Sequence, residues 1–319
     1  MISRNREGLT RQDICQHIGR PDYAVKCLLE AALCIGTLLI DTDSQRYTLS
    51  KTGWFLLNDA ATRVNIDFCH DVCYEGFVRL EESLANGRPE GLQHFGPWPT
   101  IYEGLSSLPA PVQDSWFRFD HYYSDQAFPE ALSIVFDHHP VRTLYDVGGN
   151  TGKWALQCVS YNPDVEVTVL DLPQQIQMMQ QHVKDHPGAS RISGYGINLL
   201  SPDARFPIHQ DGVDAIWMSQ FLDCFSIPQI IHILQQARSA MAPHTRLYIM
   251  ETLWDRQHYD TAAFCLTMTS LYFTAMANGN SKMYNTEDMQ YCIQAAGLEI
   301  EAIHDYIGMG HSVIIVKNK

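Results

Sequence analysis

Basic residues are scarce in this sequence, which has 22 Lys and Arg against 36 Asp and Glu and a formal net charge of −14. A nucleic-acid surface needs clustered Lys and Arg to displace counterions, so this balance argues against DNA or RNA as a partner. Long apolar runs are also lacking, because the longest, AALCIGTLLI, is far shorter than a membrane-spanning helix. We therefore expect a small-molecule ligand, neutral or cationic, and no membrane partner.

Cysteine spacing of the kind that builds disulfide frameworks or zinc sites is absent as well. The nine cysteines are an odd number without regular spacing, which is typical of buried thiols in a reducing compartment. Cys69 and Cys73 form the nearest approach to a ligand pair, but no second pair follows at zinc-site distance. The polar opening MISRNREGLTRQD is unlike a secretory signal. We expect a cytoplasmic protein without a metal.

The first region, residues 1–57, has winged-helix character. Thr10 and Asp13 predict a capping box for a helix that ends at Gly19, and a second helix follows with Asp22 as its cap. The strands GTLLI and RYTLS then predict a hairpin. Because the second helix also bears Lys26 and Glu30 and has no net positive charge, packing or dimerisation is favoured over DNA binding. One face of that helix is expected to be apolar: Val25, Leu28, Leu29, Ala32 and Leu33.

The rest of the chain divides into a helical connector, residues 58–140, which we expect to contribute to a substrate pocket, and an α/β domain, residues 141–319. The strands RTLYDV, VEVTVLD, VDAIWMS and TRLYIME are near-continuous apolar runs, as a parallel sheet requires. Helices should begin near Thr151, Pro173 and Ser226, and LEIEAIHD and HSVIIVK should close the sheet as a hairpin. This order predicts a doubly wound α/β fold behind a helical N-terminal domain.

The run LYDVGGNTGKW places a glycine turn directly after the first of these strands. A P-loop is excluded because Val147 stands where its first glycine belongs and Trp154 replaces its hydroxyl residue. No glycine triple has dinucleotide spacing either. The template D-x-G-x-G-x-G fits Asp146, Gly148 and Gly152, with Asn150, which tolerates positive φ, at the middle glycine.

Asp146 decides which nucleotide this turn binds. A carboxylate repels a pyrophosphate but attracts an ammonium and a sulfonium, and S-adenosylmethionine bears both cations. Asp171 closes the second strand, where its carboxylate can accept both ribose hydroxyls. The sequence therefore predicts an S-adenosylmethionine site at the carboxyl ends of the strands.

With these motifs the chain resembles the winged-helix, class I methyltransferases that act on phenols in plants and on polyketide or other aromatic metabolites in bacteria. The resemblance lies in DVGGNTG, VLDLP, DAIWMSQFLDCFS, RLYIMETLWD and NGNSKMY and covers nearly the whole chain. It implies a Rossmann-like, mostly parallel seven-stranded sheet and a homodimer. It further implies S-adenosylmethionine as donor, no metal, and a small aromatic substrate that is methylated on oxygen.

The resemblance also implies which residues bind the donor. Gly148 and Asp171 match the family directly, whereas Asn198 stands where the family usually has Asp, and Ser219 where it often has Lys. The complete set of implied donor-binding residues is Asp146, Gly148, Gly149, Gly152, Asp171, Leu172, Asn198, Leu199 and Ser219.

The catalytic positions depart from the family. Asp223 occupies the position of the family's deprotonating His, Glu251 matches one flanking acid, and Met283 stands where the second acid would be. Asp223 is open to three interpretations: a base whose pKa burial raises, a group that orients an acidic hydroxyl or an activated ring carbon, or a carboxylate that completes the helix entrance at Ser226. A binding protein that holds the donor without methyl transfer, and a winged-helix DNA-binding regulator, are the alternative functions.

The resemblance implies an aromatic, Met-lined substrate pocket. Phe264, Met268, Tyr272 and Met276 recur every four residues along one predicted helix, a stripe that on spacing alone is more often core than pocket. Tyr123 is expected at a substrate contact, and His121 is a reserve candidate for the base. The predicted pocket residues are Tyr123, Phe225, Met268, Tyr272, Met276 and Met283.

Overall fold

The computed structural model describes all residues, 1–319, and the chain divides into two compact units, Met1–Asp71 and Val72–Lys319. The first unit extends beyond the predicted winged-helix region and includes the first helix of the predicted connector. The remainder of the connector belongs to the second unit, together with the α/β domain.

The first unit has the helices and the hairpin that its sequence predicts. The capping box is confirmed, since Thr10 Oγ1 accepts the Asp13 amide at 3.2 Å and Asp13 Oδ2 accepts the Thr10 amide at 2.9 Å. β3 pairs antiparallel with both β2 and β1. The elements are α1 (Arg11–Ile18), α2 (Asp22–Cys34), α3 (Lys51–Asn58), α4 (Ala60–Phe68), β1 (Leu9–Thr10), β2 (Leu38–Asp41) and β3 (Arg46–Leu49).

Helix α2 corrects two expectations. It begins at Asp22, and Pro21 holds the cap position; Asp22 instead pairs with Arg11 at 2.8 Å. Val25 and Leu29 are buried as expected, but Leu28 is 64% exposed. The small core of this unit needs only one edge of the apolar stripe, so the other edge faces outward.

The second unit is built on a seven-stranded sheet in the order β6-β5-β4-β7-β8-β10-β9. Neighbouring strands from β6 to β8 pair in parallel, and β10 is antiparallel to both β8 and β9. The predicted closing hairpin is therefore confirmed. The strands are β4 (Thr143–Val147), β5 (Glu166–Asp171), β6 (Ile192–Gly196), β7 (Val213–Ser219), β8 (Met241–Glu251), β9 (Leu298–Ile307) and β10 (His311–Asn318).

Helices cover both faces of this sheet, as near-continuous apolar strands require. One face packs against α7, α8 and α9, with Trp154 and Met179 in its core, and the other packs against α10 and α12, with Ile233 and Ile293. The predicted doubly wound α/β fold is confirmed. The helices are α5 (Leu80–Asn86), α6 (Ile101–Gly104), α7 (Ala110–Phe136), α8 (Lys153–Tyr161), α9 (Pro173–Val183), α10 (Ile227–Ala240), α11 (Asp260–Tyr272) and α12 (Thr286–Ala295).

Three further details differ from the sequence-based expectation. Strand β6 was not predicted, because its residues ISGYG lack an apolar run. The helix expected near Thr151 begins at Lys153, after Gly152 in the left-handed conformation. The helix expected to run through Met276 ends at Tyr272, and the following residues, Phe273–Ala277, form a π-helical turn. No helix combines the length and apolar character needed to cross a membrane.

Candidate functional site

The glycine turn leaves β4 at the centre of the sheet, where the strand order reverses direction. Gly148, Asn150 and Gly152 have φ values of 72°, 50° and 78°. The expectation that Asn150 adopts positive φ is thus confirmed. A Cβ on Gly148 would overlap the Phe221 ring, and one on Gly149 would overlap the carboxyl group of Asp146. The turn therefore needs glycine for its conformation and for close approach of neighbouring groups.

Asp171 closes the turn from the end of β5. Its Oδ2 accepts the Asn150 amide at 2.9 Å, and its Oδ1 accepts the Leu172 amide at 2.7 Å. Burial raises the pKa of this carboxyl, while the two backbone hydrogen bonds oppose that rise. Each oxygen retains a lone pair for a ligand hydroxyl, which suits the ribose contact that the sequence predicts.

Asp146, near the end of β4, is a buried acid with an unpartnered carboxyl oxygen. It is only 2% exposed, and its Oδ2 has no hydrogen-bond partner. Burial, followed by the charge of Asp171, raises its pKa to about 8. Lys153, at the start of the following helix, pairs its ammonium with Asp125 at 2.7 Å. A buried carboxylate without a cation is costly, so this site favours a cationic ligand over a phosphorylated one.

A cavity of about 520 Å³ opens at this turn and has two halves. The glycine-loop half is lined from the carboxyl ends of the parallel strands, and the α7 half is lined by α7 and the segments before it and by the residues after β7. The glycine-loop half includes Asp146, Gly148, Gly149, Asn150, Asp171, Leu172, Asn198, Leu199 and Ser219. The α7 half includes Thr100, Tyr102, Leu105, Trp116, Asp120, His121, Ser124, Cys224, Phe225, Asn278 and Asn280.

Phe221, Cys224 and Phe225, which follow β7, form one wall of the cavity, and the two candidate catalytic acids, Asp223 and Glu251, are not among the lining residues. Glu251 is 3% exposed, and its Oε1 accepts the amides of Phe221 and Leu222 at 3.1 and 2.8 Å. Burial, and then the charge of Asp223, raises the pKa of Glu251 well above its ordinary value. Burial also raises the pKa of Asp223 to about 6, although hydrogen bonds from Cys224 oppose the rise. The flanking Phe221, Cys224 and Phe225 line the cavity, whereas Asp223 and Glu251 do not.

Comparison with known protein families identifies the family of this chain. Residues 124–299, more than half of the chain, match the O-methyltransferase domain, and residues 1–47 match a Dimerisation2-like domain. The chain belongs to the O-methyltransferase domain family. It is an S-adenosylmethionine-dependent methyltransferase, as the glycine turn and the resemblance predicted.

Relatives with named activities match most of this chain. L-tyrosine C(3)-methyltransferase of Streptomyces lavendulae is 23% identical over 98% of this chain and 84% of its own length. 3-Amino-4-hydroxybenzoate 4-O-methyltransferase of Streptomyces cremeus is 26% identical over 72% of this chain, and the match spans 59% of that protein.

Solved structures share the fold at low sequence identity. Mitomycin 7-O-methyltransferase MmcR superposes with a TM-score of 0.73 at 16% identity, over 98% of this chain and 88% of that one. NcsB1 from neocarzinostatin biosynthesis, solved with S-adenosylmethionine and 2-hydroxy-5-methyl naphthoic acid, gives 0.67 at 18%, over 97% and 89%. Both place the second unit of the methyltransferase in the class I fold.

The glycine-loop half fits S-adenosylmethionine chemically. The unpartnered Asp146 oxygen suits a cation, the Asp171 carboxylate suits hydroxyl groups, and Leu199, 6% exposed, offers an apolar surface. Asn198 uses its Oδ1 to accept the Leu200 amide at 3.0 Å and so shapes its own loop. Gly152 is the one predicted donor residue outside the lining, because its Cα packs against Met179.

The predicted substrate residues are dispersed. Phe225 lines the α7 half and meets Phe221 edge to face at 4.9 Å. The other predicted side chains are not among the lining residues. Tyr123 packs on Phe119 and Tyr122, and Met276 packs beneath Gly76 and Gly91. Tyr272 accepts a hydrogen bond from Trp116 Nε1 at 2.8 Å, and Met283 accepts a hydrogen bond from Thr252. Met268 is 45% exposed.

Sequence reasoning missed most of the α7 half. Tyr102, Trp116, Asp120 and Asn278 were not singled out; of this half, only Phe225 was predicted to line the pocket, and His121 was named as a reserve base. A signal for part of this set exists in the sequence: Trp116, Asp120, Ser124 and Phe128 recur every four residues. Such a stripe on a helix is equally typical of ordinary core packing.

The pKa of Asp146 predicts a pH-dependent affinity for S-adenosylmethionine. Below about pH 8 the free carboxyl is protonated and must release its proton when a cation binds. We expect the affinity to rise between pH 6 and 8, at most roughly tenfold per pH unit, with proton release at pH 7. Calorimetry in two buffers of different ionisation enthalpy measures that release. Asp146→Asn keeps the donor's own titration and serves as the control; equal proton release in both proteins would contradict the assignment.

Gly148→Ala should reduce both stability and donor affinity. Its positive φ costs an alanine about 1–2 kcal/mol, and the added methyl group displaces the Phe221 ring that lines the cavity. Gly87→Ala is the matched control, because Gly87 has φ 63° and open space around its Cβ. We expect a lower Tm for Gly148→Ala than for Gly87→Ala and about tenfold weaker donor binding, seen by calorimetry. Equal changes in Tm and in donor affinity for the two variants would mean that the glycine turn tolerates a side chain at Gly148.

Proposed function

We propose that this methyltransferase transfers a methyl group to a hydroxyl oxygen of a small aromatic acceptor. The observation that supports this most is one continuous cavity with two kinds of lining. Its glycine-loop half has buried carboxylates suited to a cationic donor, and its α7 half combines the rings of Tyr102, Trp116 and Phe225 with polar groups. Aromatic rings favour a flat acceptor through stacking and apolar contact. Several relatives are named for aromatic acceptors.

The donor supplies, when bound, a methyl group on a positively charged sulfur. The chain's own residues supply binding and orientation. Asp146 and Asp171 anchor the donor, the rings of the α7 half exclude water, and Phe221 and Phe225 line the same continuous cavity. Alignment and dehydration of the reacting atoms account for much of the rate enhancement in such a displacement.

Glu251 and Asp223 support this arrangement from behind the wall. By accepting two backbone amides, Glu251 fixes the turn that bears Phe221 and Phe225. Its second oxygen, Oε2, is buried without a partner, and the charge of Asp223 adds to the burial that raises the pKa of Glu251. We propose that this pair sets the position and charge of the wall.

Methylation of a ring carbon is the second candidate reaction. Asp223 stands where the resembled family has a deprotonating His, and the relative that covers 98% of this chain is named an L-tyrosine C(3)-methyltransferase. An activated ring carbon ortho to a hydroxyl needs the same flat pocket and the same loss of a phenolic proton. The two reactions differ in which atom faces the methyl group, and methylation of carbon also requires loss of the ring C–H proton to restore aromaticity.

The test is conversion of S-adenosylmethionine to S-adenosylhomocysteine with a panel of phenols, catechols, aminophenols and tyrosine. We expect at least one acceptor to give turnover, because the cavity fits both components. Magnetic resonance of the product separates an O-methyl from a C-methyl group. Asp146→Ala is the control for donor-dependent turnover. Tight donor binding with no turnover on any panel member would contradict the proposed function and favour a binding protein that holds the donor.

We also propose that two copies of the chain associate through the first unit. Residues 1–47 match a Dimerisation2-like domain, and α2 lies within them. Leu28, Ala31 and Ile35 are all exposed at spacings of three and four residues, so they form one apolar helix face. An unpartnered apolar face of this kind marks an interaction surface. A cytoplasmic location and the absence of a nucleic-acid partner stay predictions from the sequence.

Leu28→Glu should weaken this association. The leucine is 64% exposed, so the substitution leaves the small core intact but places a charge in the proposed interface. We expect light scattering to give about twice the 36.2 kDa chain mass for the unaltered protein and a lower mass for the variant. Lys26→Glu adds a negative charge elsewhere on the same helix and should leave the mass unchanged. An unaltered protein at the single-chain mass would refute the dimer.

A further inference from the structure

One face of α7 runs along the whole cavity. Trp116, Asp120, Ser124 and Phe128 all line it, and successive members are about 6 Å apart along the helix axis. The Phe128 ring lies 5.2 Å from the ring of Trp154, beside the glycine turn, whereas Trp116 Nε1 donates to Tyr272 Oη at 2.8 Å. The face therefore starts at the donor and ends among the aromatic residues, and Asp120 is its one acid, in the acceptor's half.

Asp120 and Asp223 lie near enough to each other for their charges to interact. The charge of Asp223 acts on Asp120, and both act on the hydroxyls around them: Asp223 on Tyr102, and Asp120 on Tyr272. Asp223 is 6% exposed, with Cys224 Sγ at 3.5 Å from its Oδ1, and does not line the cavity. Asp120 lines it with a side chain that is 28% exposed. An acceptor in the α7 half can reach Asp120 without displacing protein atoms.

The groups that face Asp120 suit it to accept a proton. Burial, then the charges of Asp223 and Asp125, raises its pKa to about 7, and Lys153 opposes the rise. The neighbouring His121, whose Nε2 is 3.8 Å from Asp120 Oδ2, has its pKa lowered to about 4 by burial and by Lys153, so it is neutral at pH 7. A base is most effective when its pKa lies near the working pH.

We propose that Asp120 is the catalytic base of this methyltransferase and that Asp223 is a positioning residue that acts through it. The inference rests on the proposed function and deepens it. The acceptor's O–H proton passes to an Asp120 oxygen, and the freed oxygen lone pair forms the bond to the methyl carbon. The carbon–sulfur bond breaks with its electron pair on sulfur, which gives neutral S-adenosylhomocysteine; Asp120 then returns its proton to water.

The test compares the pH dependence of kcat in three variants, at saturating donor and with the panel acceptor that gives the highest turnover. In the unaltered protein kcat should fall at low pH, because protonated Asp120 cannot accept a proton. Asp120→Asn should lower kcat by at least about a hundredfold and abolish that acid limb. Asp223→Asn should keep the limb but shift it to lower pH, because a neighbouring negative charge is removed. Asp114→Asn, on the exposed side of the same helix, is the matched control.

A spectroscopic arm tests contact without turnover. In the complex with S-adenosylhomocysteine, the phenol and phenolate forms of bound 4-nitrocatechol differ in absorption. We expect its ionisation to occur at lower pH in Asp120→Asn than in the unaltered protein, since a facing carboxylate disfavours the phenolate. Retention of the acid limb in Asp120→Asn, or its loss in Asp223→Asn, would overturn the inference while leaving the proposed function intact. Absence of turnover in the unaltered protein would instead remove the proposed function.

Discussion

We propose that a buried carboxyl group without a cation as partner selects what the cavity of this protein binds. The fold encloses Asp146 so fully that its pKa rises to about 8, and no side chain neutralises it. The free carboxyl therefore holds a proton at neutral pH, and a positively charged ligand stabilises its ionised form. The donor's sulfonium and ammonium meet this requirement, whereas its demethylated product keeps only the ammonium. The same carboxylate that selects the donor therefore favours release of the product after the methyl group has gone.

The sheet topology places this charge where the chemistry needs it. Strands β4, β5 and β7 are parallel neighbours, so the loops after their carboxyl ends meet at one edge. Asp146, Asp171 and Ser219 reach the cavity from these three strand ends. The wall at Phe221 and Phe225 follows directly from β7, and Glu251, at the end of the adjacent β8, fixes that wall. The parallel order of these neighbouring strands thus places the proposed donor-binding residues next to the first residues of the proposed acceptor pocket.

The sequence predicts this part of the molecule well because its signals are local. A glycine turn after an apolar strand, an Asn that accepts positive φ and an acid closing the next strand are each visible within a few residues, and all three lie where expected. The acceptor side depends on tertiary packing instead. The stripe from Phe264 to Met276 fails as one helix face because a π-helical turn begins at Phe273, and no pattern in the sequence announces that change. Asp120 was missed because a lone acid on a long helix usually faces solvent.

Loss of the family's His at position 223 need not mean loss of catalysis, provided that the base has moved. The carboxylate at 223 is 6% exposed and is not among the residues that line the cavity, but its charge acts on Asp120, which does line it. The same charge raises the proton affinity of Asp120, which an aspartate needs before it can accept a phenolic proton. In this proposal the acid that replaces the family's His no longer takes the proton itself, and its charge adds to the burial that raises the pKa of the acid on α7.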